Sequence, residues 1–160
     1  MRMTGFLAGV TGVMITAVSA FAKDIPLAKC PAEVQATIRS HARDGKIDEV
    51  ESLAIEGRRM FIAEVEFPGD RELKIYVLAN GALFKTREDV RLEDAPAKVQ
   101  EAAQQLVAAE GKVDDVVKIM DADGKESYEV EMKHKGQKEV KIIFAADGTI
   151  LSQKEKKSKD

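Results

Sequence analysis

The sequence predicts an α+β protein of two tandem repeats, each a helix followed by a four-stranded antiparallel sheet, with the repeats packed as one continuous two-layer unit. Three observations predict it. The segment LAKCPAEVQ from Leu27 returns as LEDAPAKVQ from Leu92, 65 residues later. Within each copy the apolar spacing changes from about 3.6 residues, the period of a helix, to about 2, the period of a strand. Each copy then reaches a turn dipeptide, Asn80-Gly81 or Asp147-Gly148, of the kind that joins antiparallel strands.

The agreement between copies extends along the chain. Gly45-Lys46-Ile47-Asp48-Glu49-Val50 answers Gly111-Lys112-Val113-Asp114-Asp115-Val116 at a spacing of 66, and Gly69, Glu72, Lys74, Ile75, Ala79 and Gly81 meet Gly136, Glu139, Lys141, Ile142, Ala146 and Gly148 at 67. Shared positions in one order point to duplication. Each copy opens with a helix beginning at a proline, Pro31 or Pro96, where the missing N–H costs nothing. Val34, Ile38 and Ala42 form one apolar stripe, and Val99, Ala103, Leu106 and Val107 form the other. Gly45 and Gly111 are expected to stop the helices.

Strands follow in Phe61–Phe67 and Tyr128–Lys133, where apolar and charged residues alternate. A second alternating run, Leu73, Ile75 and Val77 or Val140, Ile142 and Phe144, comes after Pro68-Gly69 or Lys135-Gly136. An earlier strand is expected in Val50–Ile55 and Val116–Met120, and a short last one in Ala82–Phe84 and Thr149–Leu151. The stretch Lys85–Arg91 is charged and free of Gly and Pro, and it reads as a short link holding the copies close. The predicted boundaries are 1–22, 23–88 and 89–160.

Residues 1–22 read as a secretory leader. Arg2 precedes an uncharged run from Met3 to Ala22 that closes on Ala20-Phe21-Ala22, a small-x-small cleavage pattern. Its glycines, threonines and serine make it a weak membrane span. An exported chain with Cys30 as its single cysteine has no disulfide framework and must rely on its core. Lys29 stands where a lipidation signal needs a small residue, so Cys30 reads as a small buried hydrophobe.

These motifs resemble the PepSY-like family of secreted bacterial proteins. The resemblance rests on L-x-x-x-P-A-x-V (Leu27 to Val34, Leu92 to Val99), G-K-[IV]-[DE]-x-V, Y-x-V-E (Tyr128 to Glu131) and [ND]-G-x-[LI] (Asn80 to Leu83, Asp147 to Ile150). It spans both copies, with Phe61-Ile62-Ala63-Glu64 replacing Y-x-V-E in the first. A tandem helix-plus-sheet layout is also similar to secreted β-lactamase inhibitory proteins. The likeness implies a binding or inhibitory module without an active site and does not identify the partner; the leader, the duplication and the missing catalytic set together point to a peptidase or another cell-envelope protein as the expected partner.

The composition agrees in what it excludes. With 25 Lys+Arg against 28 Asp+Glu the formal charge is −3, which lacks the basic excess of a nucleic-acid binder. There is no G-x-S-x-G and no phosphate-cradling glycine loop, and the carboxylates alternate with apolar residues as a solvated sheet face does. No catalytic residue, cofactor or metal site is expected. His41 and His134 stand in slots that are apolar in the other copy and lack ligand-spaced neighbours. Asp121-Ala122-Asp123-Gly124 has its glycine too early for a calcium loop and reads as a hairpin turn. The tail from Lys154 is charged and is expected to be solvated.

One departure singles out a candidate site. On the outward strand positions the first copy carries Met60, Ile62, Tyr76 and Leu78, and the second carries Ile143 at the position matching Tyr76. Projecting without cover, these would form an apolar patch rimmed by glutamates, suited to a protein partner. Burial against the other copy, against Asp24–Leu27 or against a twin molecule is the competing reading. The expected function is therefore an exported, periplasmic or secreted binding module with no stable membrane insertion after cleavage. The alternative is a periplasmic small-ligand binding or sensor protein, with the ligand held between sheet and helices or between the copies.

Overall fold

The computed structural model describes residues 23–55, 57–107, 111–134 and 139–155. Residues 1–22, read from the sequence as a secretory leader, the expected turn at Lys135-Gly136 and residues 156–160 of the charged tail lie outside the described residues. The elements in chain order are β1 (Lys23–Asp24), α1 (Ala32–Ala42), β2 (Lys46–Ile55), β3 (Arg58–Phe67), β4 (Arg71–Leu78), β5 (Leu83–Asp89), α2 (Ala97–Leu106), β6 (Gly111–Asp121), β7 (Glu126–His134), β8 (Val140–Ala145) and β9 (Ile150–Glu155). A short 3-10 turn precedes each helix, at Leu27–Lys29 and Leu92–Asp94.

The predicted pair of helix-plus-four-stranded repeats is not the architecture. The chain forms a single nine-stranded antiparallel sheet, ordered β1 to β9 without a break, carrying two short helices. The strand that overturns the expectation is β5. The charged stretch after Phe84, read as a link, pairs with β4 from Leu73↔Glu88 to Val77↔Leu83 and with β6 from Lys85↔Asp121 to Asp89↔Val117. Two separate sheets would each expose a further edge of unpaired N–H and C=O groups, and β5 removes both by bonding on its two sides. β1 is a further addition, pairing Lys23 with Ser52 and Asp24 with Glu51.

Register places both helices on one face. Ile75, Thr86 and Met120 lie opposite one another across β4, β5 and β6, and Lys118, Tyr128 and Phe144 continue the same face across β6, β7 and β8. Val34, Ile38 and Ala42 of α1 pack with Phe61, Ala63, Val65, Leu73, Ile75 and Val77. Val99 and Ala103 of α2 pack with Val116, Tyr128, Val130, Met132, Ile142 and Phe144. A fully buried side chain such as Ile38 contributes roughly 1.5–3 kcal/mol. Cys30 is buried in the first cluster, its thiol directed at the Pro26 carbonyl, and burial raises its pKa.

Local chemistry explains the element ends. Pro31 and Pro96 cap the helices at their N-termini, and Gln35 and Gln100 each donate an Nε2 hydrogen bond back to the chain, to the carbonyls of Cys30 (2.9 Å) and Ala95 (2.8 Å). Gly45 and Gly111 do not stop the helices. The positive φ after α1 belongs to Arg43 (φ 53), while Gly45 is required because a Cβ there would lie 2.4 Å from Val65 Cγ1. Gly111 instead opens β6. At the Asn80-Gly81 and Asp147-Gly148 turns, the Asn and Asp Oδ1 atoms accept from the N–H groups of Ala82 and Thr149.

Candidate binding face

With both helices on one face, the other carries the alternate residues of every strand, and no helix among the described residues packs on it. Ion pairs fill most of its centre. Lys74 bonds Glu64 and also reaches Glu72 at 3.2 Å, Arg87 meets Glu129 at 3.1 Å, and Lys141 meets Glu129 at 2.9 Å and Glu131 at 3.3 Å. Burial alone would raise the Glu129 carboxyl, but hydrogen bonds from Arg87 and Lys141 hold it below the ordinary carboxylate value. Burial likewise works to lower the Lys74 amine, yet its bonds to Glu64 and Glu72 leave it raised.

Toward the turn at Asn80 the face becomes apolar. Leu53, Met60 and Leu78 lie opposite one another across β2, β3 and β4, and Ile62 lies opposite Tyr76. A bulge between Tyr76 and Val77 leaves Phe84 without a direct partner and brings it to the same side. The Lys85 amine therefore lies over both rings, 4.8 Å from the Tyr76 centroid and 5.8 Å from that of Phe84. Burial lowers the Lys85 pKa, and Arg87 adds to the effect.

Of the residues singled out from sequence, the structure brings Met60, Ile62, Tyr76 and Leu78 together as two cross-strand pairs. Met60 is only 6% exposed and underlies the patch, whereas Ile62, Tyr76 and Leu78 are half-buried. Ile143 sits apart on β8, opposite Glu129 and Ser152. Ile25 and Leu27 pack against the α1 core on the opposite face, so they do not cover the patch. Two members were missed. Leu53 was legible as an apolar residue at the outward position of its strand, but Phe84, 45% exposed, reaches this side through a bulge that no local pattern announces.

At the β1 edge the row of Ile62 and Tyr76 ends in acid. Glu51 lies opposite Ile62, Asp24 opposite Glu51, and Glu49 follows two positions along the same strand. Ligand-capable oxygens of Asp24, Glu49 and Glu51 all lie within 4.8 Å of one another. A hydrogen bond with Asp24, and then its charge, raises the Glu49 pKa.

A second feature lies on the helix-bearing face. Because the helices cover the two flanks, the middle of the sheet is left with a cleft of about 240 Å³ lined by Ser40, His41, Arg43, Leu73, Thr86, Glu88, Lys118 and Met120. Glu88 Oε1 accepts from Arg43 (2.8 Å) and Arg71 (2.9 Å). His41 Nδ1 stands 2.9 Å from the Thr37 carbonyl, as a histidine at the edge of the core. The side chain of His134 lies outside the described residues. Asp121 closes the β6–β7 turn, its Oδ1 accepting from the N–H groups of Asp123 and Lys125.

This layout has solved counterparts. A DUF2874 family protein from Bacteroides uniformis is similar over 79% of this chain and 89% of its own, with a TM-score of 0.64 and 20% identity. A BLIP-like protein from Bacteroides fragilis is similar over 85% of this chain and 91% of its own, at 0.64 and 17%. A candidate periplasmic protein from Bacteroides eggerthii covers 79% and 88%, at 0.65 and 16%. The likeness is one of fold. No protein-family model and no curated protein matches the sequence. None of the described helices is long and apolar enough to cross a membrane.

Proposed function

We propose that this chain is an exported, non-enzymatic binding module of PepSY-like type, working in the periplasm or outside the cell. It holds a cell-envelope protein against the uncovered face of its sheet, and it inhibits or regulates a peptidase or another enzyme there. The observation that carries the reading is the apolar patch of Leu53, Ile62, Tyr76, Leu78 and Phe84 beside the ion pairs of the same face, with Val117, Ile119 and Ile143 lying farther along it. An apolar patch beside satisfied charges suits the core of a protein interface, with its polar rim already built. The BLIP-like and candidate periplasmic proteins of the same fold support both binding and location. The matched segments of the sequence support a division into the repeats 23–88 and 89–160 behind a leader at 1–22.

The test is in-cell crosslinking of the native chain and of the double variant Ile62→Ser/Tyr76→Ser, followed by mass spectrometry of the envelope fraction. One stoichiometric envelope protein with the native chain, lost in the variant at an almost unchanged melting temperature, is the expected result. An unfolded variant, or capture that is indifferent to it, would make the patch part of the structure rather than the interface. The cleft beneath α1 favours a second reading, a periplasmic ligand binder or sensor, since its size and mixed lining suit a small polar molecule. A thermal-shift screen separates the two, because a small ligand raises the melting temperature by mass action.

A further inference from the structure

We infer that the partner of the uncovered face presents a lysine or arginine side chain beside apolar ones, the cation seated among Asp24, Glu49 and Glu51 while the apolar groups cover Ile62 and Tyr76. The inference rests on the proposed protein-binding role of this face and adds the chemistry of what binds there. Its ground is charge complementarity. The row across the sheet reads Asp24, Glu51, Ile62, Tyr76 and Lys85 in direct register, so the acidic group and the apolar patch form one surface.

The carboxylates at the middle of the face already have cations. Glu64 and Glu72 share Lys74, Glu129 holds Arg87 and Lys141, and Glu131 shares Lys141. Asp24, Glu49 and Glu51 are different, for among the described residues no lysine or arginine nitrogen comes within 4.0 Å of any of them. With a hydrogen bond and then charge from Asp24 raising the Glu49 pKa, three carboxylates this close are under mutual repulsion. A guanidinium or ammonium arriving with an apolar surface relieves it fully, since burial of Ile62 and Tyr76 excludes water from the new ion pair. Lys85 on the opposite flank repels a second cation, which orients the partner with its basic residue toward β1. A divalent ion is a weaker fit, because calcium needs six to eight oxygens and these residues supply three exposed or half-exposed carboxylates.

A random-peptide phage library selected on the native chain tests this, with the enriched peptides synthesised and titrated by fluorescence anisotropy. The expected peptides carry Lys or Arg next to apolar residues. Their affinity falls about tenfold or more in Glu49→Gln/Glu51→Gln, with the difference shrinking as salt rises, and is lost in Ile62→Ser/Tyr76→Ser. Ile62→Thr/Tyr76→Thr, which retains strand-forming residues, replaces the serine variant should the latter unfold. Peptides that depend on Ile62 and Tyr76 but lack a basic residue overturn this inference and leave the proposed face standing. Peptides indifferent to both pairs of substitutions, or no enrichment, overturn both. Calcium binding by calorimetry that is lost in Glu49→Gln/Glu51→Gln, or self-association in sedimentation that is lost in Ile62→Ser/Tyr76→Ser, would assign the surface to a metal or to a second copy and overturn it as well.

Discussion

Replacing Gly148 by alanine tests how the helix layer is seated on the sheet. Gly148 has φ +85°, and a Cβ there would lie 2.7 Å from the Lys98 carbonyl oxygen and 3.1 Å from its carbon, where ordinary contacts begin at 3.4 Å. The obstacle is helix backbone, so it cannot swing aside. Gly124 is the control, with φ +78° and nothing within 4 Å of the added atom. Alanine in the left-handed region costs about 1–2 kcal/mol. Loss of chain freedom in the unfolded state returns about 0.4–1 of that. Gly124→Ala should therefore cost roughly 0.5–1 kcal/mol. Gly148→Ala must also push the start of α2 off the turn, an overpacking cost of about 1–3 kcal/mol, which brings its total to roughly 2–4. Urea unfolding followed by circular dichroism measures both, at equal dependence on denaturant. Losses within about 0.5 kcal/mol of each other would mean that α2 does not rest on the β8–β9 turn, and the reasoning would fail.

Two predictions concern protons. Glu129 has a lowered pKa in the folded chain, so its contribution is present above the ordinary carboxyl value and is lost as pH falls through the lowered one. Glu129→Gln should accordingly cost about 1–3 kcal/mol at neutral pH, and urea unfolding at successive pH values should show the gap from the native chain closing in acid. For Glu49 the sign is reversed. Its raised folded pKa means the folded state holds the proton longer, so stability declines as pH rises from the ordinary carboxyl value through the raised one. Asp24→Asn should move the Glu49 titration, followed by carboxyl-carbon NMR, back toward its ordinary position; an unmoved titration would show that Asp24 is not the cause.

The candidate face was legible only in part. Met60, Ile62, Tyr76 and Leu78 stood out because an outward strand position is normally polar, and strand alternation is local information. Phe84 was hidden by a bulge, and Ile143 carried the same outward signature yet lies opposite Glu129 and away from the patch. The acidic group combines residues from β1 and β2, and β1 has too few residues to show any period.

The sequence by itself determined what depends on near neighbours along the chain. Val34, Ile38, Ala42 and Val99, Ala103 are buried as the helical period requires, although Leu106, expected on the second stripe, is 42% exposed at the end of α2 and Val107 lies beyond the helix; Cys30 is buried, and Asn80-Gly81 and Asp147-Gly148 turn the chain. Only the tertiary structure decided which strand makes the sheet single. β5 carries Lys85, Arg87 and Asp89 on one face and Thr86 and Glu88 on the other, with no apolar alternation to mark it. It is a strand because its backbone bonds on both sides and its charges find partners far along the chain, Arg87 in Glu129 and Glu88 in Arg43 and Arg71. Those partners are brought within reach by register across strands, and register is settled only when the whole sheet assembles around its two buried clusters.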